Sequence, residues 1–303
     1  MRFSVYQESR KGGRRINQDR MGYCFTRDAL LMVLADGLGG HALGEVAAQH
    51  ALQIIARQFQ AQARPTVRRP ADFLQDSILQ AHHEIHRYAR MNNLRDVPRT
   101  TIVCCLMQND SVQWAHAGDS RLYFVRQGQL LTRTRDHSKI ENLLQQHRIS
   151  AEDAALHPER NKLYNCLGSP NLPLVDIGEP QTLCAGDVVL LCSDGLWGSV
   201  PEIELVRQLS TLSVVQAIPN LITQALHHAG DSADNTTAIG MMWENDPNAA
   251  RHDTVLTESL PLNAFTTSIL SQEDGADELS EEDIERSIAE IRAAIDKSSN
   301  FTR

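Results

Sequence analysis

Three widely separated aspartates in this 303-residue chain stand at the edges of apolar runs, where side chains could do chemistry. Residues 30–35 (LLMVLA) are apolar without alternation, the pattern of a strand buried on both faces, and the run stops at Asp36-Gly37-Leu38-Gly39-Gly40. Residues 187–192 (DVVLLC) form a second such strand, followed by Ser193-Asp194-Gly195. Asp234-Asn235 precede a third, over 236–243. A carboxylate just past the end of a buried strand is held rigidly at the rim of the core. A neighbouring glycine lets a backbone carbonyl approach whatever the carboxylate binds. Carboxylates converging from distant segments are ligands for hard divalent cations. Asp119, in Gly118-Asp119-Ser120-Arg121, is another aspartate at a strand end. Arg14 lies close enough to Asp19 for both to face one site, and its guanidinium suits bidentate capture of phosphate oxygens.

The elements that must position these residues follow from pattern. Strands are predicted over 2–7 and 21–26, then helices over 42–60 and 71–91 from their apolar stripes. His82, His83 and His86 lie on the second helix and are expected at its surface rather than on a metal. Runs 101–107 and 111–117 form a hairpin about Gln108-Asn109-Asp110. Strands 122–126 and 129–132 form another about Gln127-Gly128, so the sheet is antiparallel. Residues 136–168 turn polar, with a capping box at Ser150 to Asp153, and read as an insert beside the site. Helices follow over 200–209 and 213–229, the latter with Pro219 expected to kink or split it.

Composition excludes several function classes. The chain is 42% hydrophobic and 22% charged, with six cysteines and no CxxC pair, so reduced core thiols are expected. There is no membrane-length apolar run and no apolar leader core, which points to a cytoplasmic protein without a membrane partner. The net charge of −9 falls wholly in residues 244–303, which hold 14 acidic and 5 basic residues; 1–243 is neutral and advertises no nucleic-acid binding. Residues 244–278 read as a flexible acidic linker. Residues 279–297 read as an amphipathic helix whose Ile284, Ile288, Ile291 and Ile295 seam is expected to dock a partner.

Six segments in order resemble the bacterial type 2C protein phosphatases, the metal-dependent Ser/Thr phosphatases. They are RRINQD (14–19), ADGLGGHALGE (35–45), AHAGDSRLY (115–123), TRDHS (134–138), CSDGL (192–196) and DNTT (234–237). The resemblance covers residues 1–243 and implies an α+β fold of two packed antiparallel β-sheets flanked by helix pairs. It also implies two Mn²⁺ or Mg²⁺ ions at one edge. Asp36 is then expected to bridge the ions, the Gly37 carbonyl to bind one, and Asp194 and Asp234 the other. Asp19 would act through bound water, Arg14 would hold the phosphoryl group, and Asp119 would bind a third, weaker ion. The 136–168 insert matches the family's flap, with Asn161 near that third ion.

Two residues depart from the pattern. Gln18 replaces a frequent glutamate, and Leu38 stands where eukaryotic members carry a histidine proposed as general acid. The expected activity is hydrolysis of phosphoserine and phosphothreonine in phosphoproteins, opposing a cognate Ser/Thr kinase. The competing expectations are a pseudophosphatase used as a phosphoprotein-binding scaffold and a hydrolase of small phosphorylated metabolites.

Overall fold

A computed structural model describes residues 1–38, 43–150, 153–154, 157–159, 162–244 and, for the backbone, 265–266. The elements in chain order are β1 (Phe3–Arg10), β2 (Arg20–Phe25), β3 (Ala29–Ala35), α1 (Gly44–Gln62), α2 (Pro70–Met91), β4 (Ile102–Gln108), β5 (Ser111–Ala117), β6 (Arg121–Arg126) and β7 (Gln129–Arg133). There follow α3 (Lys139–Gln145), β8 (Asp176–Ile177), β9 (Gln181–Thr182), β10 (Val188–Cys192), α4 (Asp194–Trp197), α5 (Glu202–Thr211), α6 (Val214–Ala229), β11 (Thr236–Trp243) and β12 (Phe265–Thr266).

The strands form two antiparallel sheets, one in the order β1-β11-β10-β6-β7 and the other β12-β2-β3-β4-β5-β8, with β9 also on β5. Strand β3 shows how the layers arise. All seven of its residues are buried, yet they alternate between two cores. Leu31, Val33 and Ala35 pack with Leu52, Ile55 and Ile78 of α1 and α2. Leu30, Met32 and Leu34 pack with Leu191 and Ile239 of the opposite sheet. A third core joins Leu190 and Ala238 to Leu205, Ile218 and Leu221 of α5 and α6. The result is helices, sheet, sheet, helices, which explains why the central strands read as unbroken apolar runs.

Three expectations need correction. His82 is not a surface residue: it is 3% exposed, and its Nδ1 accepts from Gly168 N–H (3.2 Å) because α2 lies against the 166–169 segment. Burial, with His86 and His83 nearby, pushes its pKa down to about 4. Pro219 does not split α6, which runs unbroken from Val214 to Ala229. The carbonyl that proline leaves without a donor belongs to Val215, a residue 53% exposed on the solvent side of the helix. Two residues of the expected linker, Phe265 and Thr266, pair with Cys24 and Tyr23 at the sheet edge. The 279–297 helix lies outside the described residues. The Ser150–Asp153 capping box is present, with Asp153 N–H donating to Ser150 Oγ and Ser150 N–H to Asp153 Oδ2.

Leu34→Ala, between the two sheets, is expected to cost about 2–5 kcal/mol because the facing sheets cannot both relax into the space. Urea unfolding measures it; a loss under about 1 kcal/mol would show that this layer repacks.

Candidate metal centre

Antiparallel register brings every candidate residue to one end of the sandwich. In one sheet Arg10 pairs with Thr236, and Cys192 lies between Ala238 and Arg121. Hence the loop after β1, the Asp234 segment, Asp194 and the β5–β6 turn share an edge. In the other sheet Arg20 pairs with Ala35 and Ile102 with Ala117, which sets Asp19 beside Asp36 and Asp119 at the same end. The sequence-predicted Arg14, Asp19, Asp36, Gly37, Asp119, Asp194 and Asp234 therefore come together. Asn161 lies outside the described residues.

Backbone and small hydroxyls fix the individual carboxylates. Asp36 is anchored by its main chain: its N–H donates to Thr101 Oγ1 (3.1 Å), and its carbonyl accepts from Thr101 N–H and Thr100 Oγ1 (both 2.8 Å). Gly37 is required by close packing, since a Cβ there would lie 2.5 Å from the Gly44 carbonyl oxygen. Asp19 is 1% exposed and accepts from Ser193 Oγ on Oδ2 (2.8 Å), while its buried Oδ1 has no donor. Asn235 staples the 11–18 loop, accepting from Gln18 N–H (2.8 Å) and donating to the carbonyls of Lys11 (2.8 Å) and Ile16 (3.1 Å). Gln18, in place of the expected glutamate, donates to Glu45 Oε2 (3.0 Å) of α1.

Arg14 stands at the rim with its fork on Asp234, Nε to Oδ1 at 2.7 Å and Nη2 to Oδ2 at 2.6 Å. Asp119 is 7% exposed. Its carbonyl accepts from Trp197 Nε1 (3.0 Å) of α4, the helix that begins at Asp194. The same indole lies under Arg121, whose guanidinium carbon is 3.6 Å from the ring centre and whose fork grips Asp136 (2.8 and 2.7 Å). Ser193, Asn235, Trp197, Thr100, Thr101 and Asp136 were not among the predicted site residues. All but the two threonines lie within or beside the quoted motifs, yet small polar residues in loops have no signature of their own.

The electrostatics are those of a cluster short of positive charge. Loss of hydration pushes Asp36 well above the usual carboxylate range, and the charges of Asp19, Asp194, Asp119 and Asp234 push it further. Asp19 rises to about 7, mainly by burial, with the Ser193 hydrogen bond acting in the other direction. Asp194 rises to about 6 by desolvation and Asp234. Asp119 is raised by burial, then Asp194 and Asp136. Of the five aspartates, Asp234 alone has an ion-pair partner among the described residues. An all-oxygen set with an undonated buried carboxylate oxygen fits hard divalent cations, Mg²⁺ or Mn²⁺, and not zinc.

With this geometry established, comparison with known proteins is decisive. Residues 7–227 match the family model for protein phosphatase 2C. The chain belongs to the protein phosphatase 2C family. It is 33% identical over 228 residues to the Serine/threonine phosphatase stp of Listeria innocua, covering 74% of this chain and 88% of that one. Its fold matches the Serine/threonine phosphatase Stp1 of Staphylococcus aureus with a TM-score of 0.74 at 29% identity, covering 81% of this chain and 96% of that one. It also matches the catalytic domain of the serine threonine protein phosphatase PstP, solved in complex with two manganese ions, with a TM-score of 0.68, 28% identity and coverage of 80% and 99%. The two-sheet α+β expectation is thus correct. No helix among the described residues is long and apolar enough to cross a membrane.

The raised carboxylates make a pH prediction whose sign can be worked out at Asp19. Its folded pKa of about 7 lies above the unfolded value of about 3.9. Between those values the folded state holds the extra proton, so in the metal-free protein this group lowers stability as pH rises. Asp19→Asn is therefore expected to melt with wild type near pH 4 and above it at pH 8. Calorimetry without divalent ions measures this; a variant less stable than wild type at pH 8 would contradict the burial of an unpaired charge.

Proposed function

We infer that the protein is a metal-dependent Ser/Thr protein phosphatase that hydrolyses phosphoserine and phosphothreonine esters of phosphoproteins. The observation that carries this is the convergence of Asp19, Asp36, Asp119, Asp194 and Asp234 at one sheet edge with one ion pair to them among the described residues. Asp36 and the Gly37 carbonyl are suited to hold one Mn²⁺ or Mg²⁺, and Asp194 and Asp234 the other, with Asp36 between them. Asp19 lies deeper, where its undonated Oδ1 can orient water. When bound, such an ion pair supplies Lewis acidity and an activated water for in-line displacement at phosphorus. Arg14 leaves Nη1 outside its fork on Asp234, at the rim where a phosphoryl oxygen would enter. Leu38 offers no proton to the leaving group, so none of the chemistry is assigned to that position. A cytoplasmic setting, an opposing Ser/Thr kinase and the docking of a partner by residues 279–297 belong to the same reading. A scaffold without catalysis would have no use for five carboxylates held against their own repulsion, and it finds no support among the relatives.

The test is phosphate release by purified protein from a phosphothreonine peptide with and without Mn²⁺, beside a set of sugar phosphates. Metal-dependent turnover of the peptide is expected; turnover of sugar phosphates alone would move the protein to small-molecule chemistry. Asp36→Asn, Asp194→Asn and Asp234→Asn are each expected to abolish that turnover while remaining folded, because a carboxamide cannot neutralise adjacent divalent cations. Folded variants with near-wild-type rates at saturating Mn²⁺ would overturn the assignment. Arg14→Lys is expected to raise KM for the peptide about tenfold, the scale of one charge-assisted hydrogen bond of roughly 1.5 kcal/mol, with steady-state kinetics as the measure. An unchanged KM would confine Arg14 to its pairing with Asp234.

A further inference from the structure

Both backbone polar groups of Gly118, the residue before Asp119, go to one side chain and its peptide. His137 N–H donates to Gly118 O (2.9 Å), and Gly118 N–H donates to His137 Nδ1 (3.3 Å). The same Nδ1 accepts from Asn165 Nδ2 (2.6 Å). The orientation of that amide is set by Leu174, whose N–H donates to Oδ1 (3.0 Å) and whose carbonyl accepts from Nδ2 (2.7 Å). His137 O in turn accepts from Tyr164 N–H (3.0 Å). The ring is 3% exposed and stacks on His116 at 4.6 Å between centres, 23° from parallel. His116 is itself oriented by its Nε2–H on Arg135 O (2.7 Å).

Two N–H donors converge on Nδ1, so Nδ1 carries the lone pair and Nε2 the proton. An imidazolium would set a third N–H against them, and burial, with His116 beside it, already pushes the pKa down to about 4. His116, His137 and Asp176 do bring candidate ligand atoms within 4.8 Å of one another. They do not make a second metal site. The lone pair of His137 is taken, and no cation can lie in the planes of two nearly parallel rings that far apart.

We propose that His137 is a positioning residue for Asp119, its neutral Nδ1 tying the returning end of the 136–168 insert, through Asn165, to the turn that presents the Asp119 carboxylate. On its other side Asp119 is held by Trp197 through the carbonyl, so His137 governs the peptide entering the turn. Gly118 has φ +122°, and a Cβ there would lie 2.6 Å from Thr101 Cβ, so only glycine fits where the turn packs against the residue before β4. Asp119 and Asp194 feel each other's charge, and Asp119 also acts on Asp36. With Asp36, Asp194 and Asp234 assigned to the two ions of the proposed centre, the placement of Asp119 would decide how well a further, weaker cation is held. This rests on the phosphatase reading, and Mn²⁺ binding without substrate separates the two.

The experiment counts Mn²⁺ bound to the full chain from the loss of the free-ion EPR signal, beside kcat and KM on a phosphothreonine peptide. His137→Ala is expected to weaken the weakest class of bound Mn²⁺ about fivefold, the scale of one lost hydrogen bond. It should lower kcat with KM within about twofold, an effect on the turnover step rather than on substrate binding. His137→Asn, whose Oδ1 stands near the Nδ1 position, is expected to restore most of both. Wild-type Mn²⁺ binding in His137→Ala, or equal loss in the Ala and Asn variants, would overturn the proposal. Should His137→Ala not fold, Asn165→Asp, which replaces the donor by a carboxylate of the same size, is expected to give the same weakening, and wild-type binding there is equally fatal. A wild-type chain that binds Mn²⁺ but releases no phosphate would sink the phosphatase reading and leave the Mn²⁺ comparison standing.

Discussion

Five carboxylates drawn from five segments repel one another at one edge of the sandwich, and the rest of the chain has to hold them there. Each is raised above its ordinary pKa or paired: Asp36 by lost hydration and four like charges, Asp19 by burial, Asp194 and Asp119 by both, Asp234 relieved by Arg14. Such a cluster opposes folding while it holds no cation, and a cation bound to the folded state alone would return stability by mass action. The acidic crowding is therefore a cost borne by the three apolar cores, whose packing runs the length of the sandwich.

How the sandwich holds the charges depends on where backbone order ends. The aspartates do not lie within the ladders; they begin one or two residues after the last or before the first paired position, as at Ala35 and Asp36, Cys192 and Asp194, or Asp234 and Thr236. There the ladder is continued by side-chain hydroxyls and an amide acting as backbone substitutes. Thr101 serves Asp36, Ser193 serves Thr237 N–H as well as Asp19, and Asn235 serves Gln18, Lys11 and Ile16. A hydroxyl or amide is small enough to sit at a closing sheet edge and offers both donor and acceptor. This continues rigidity past the strand end without another residue pair, and preorganised ligands need it.

Much of this was legible in the sequence, for reasons that also mark its limits. Unbroken apolar runs such as 30–35 announced strands covered on both faces, and aspartates at their ends announced the edge. Asn109 and Asp110 both adopt positive φ, as a tight antiparallel turn demands, and the turn residues at 108–110 gave the hairpin away. What could not be read was tertiary. His82 looks like any polar-face histidine until α2 meets Gly168. Pro219 looks like a helix breaker until its orphaned carbonyl falls on the solvent side. The grip of Arg14 on Asp234, across 220 residues, follows only from the β1–β11 register. The supporting hydroxyls and amides were invisible because serine, threonine and asparagine are as common in ordinary turns as at a site.

The aspartates differ in how they are held. Asp36 and Asp194 adjoin central strands, β3 and β10, that have paired neighbours on both sides, and the loop of Asp19 is fastened across the edge by Asn235. Asp119 instead lies in a short turn between β5 of one sheet and β6 of the other. No ladder crosses that junction, so the turn is fixed from outside by Trp197 on one peptide and His137 on the next. One of these anchors extends the helix that begins at Asp194, and the other extends the polar insert. Asp119 is thus the carboxylate tied at once to the helix that carries Asp194 and to the polar insert that begins at Asp136.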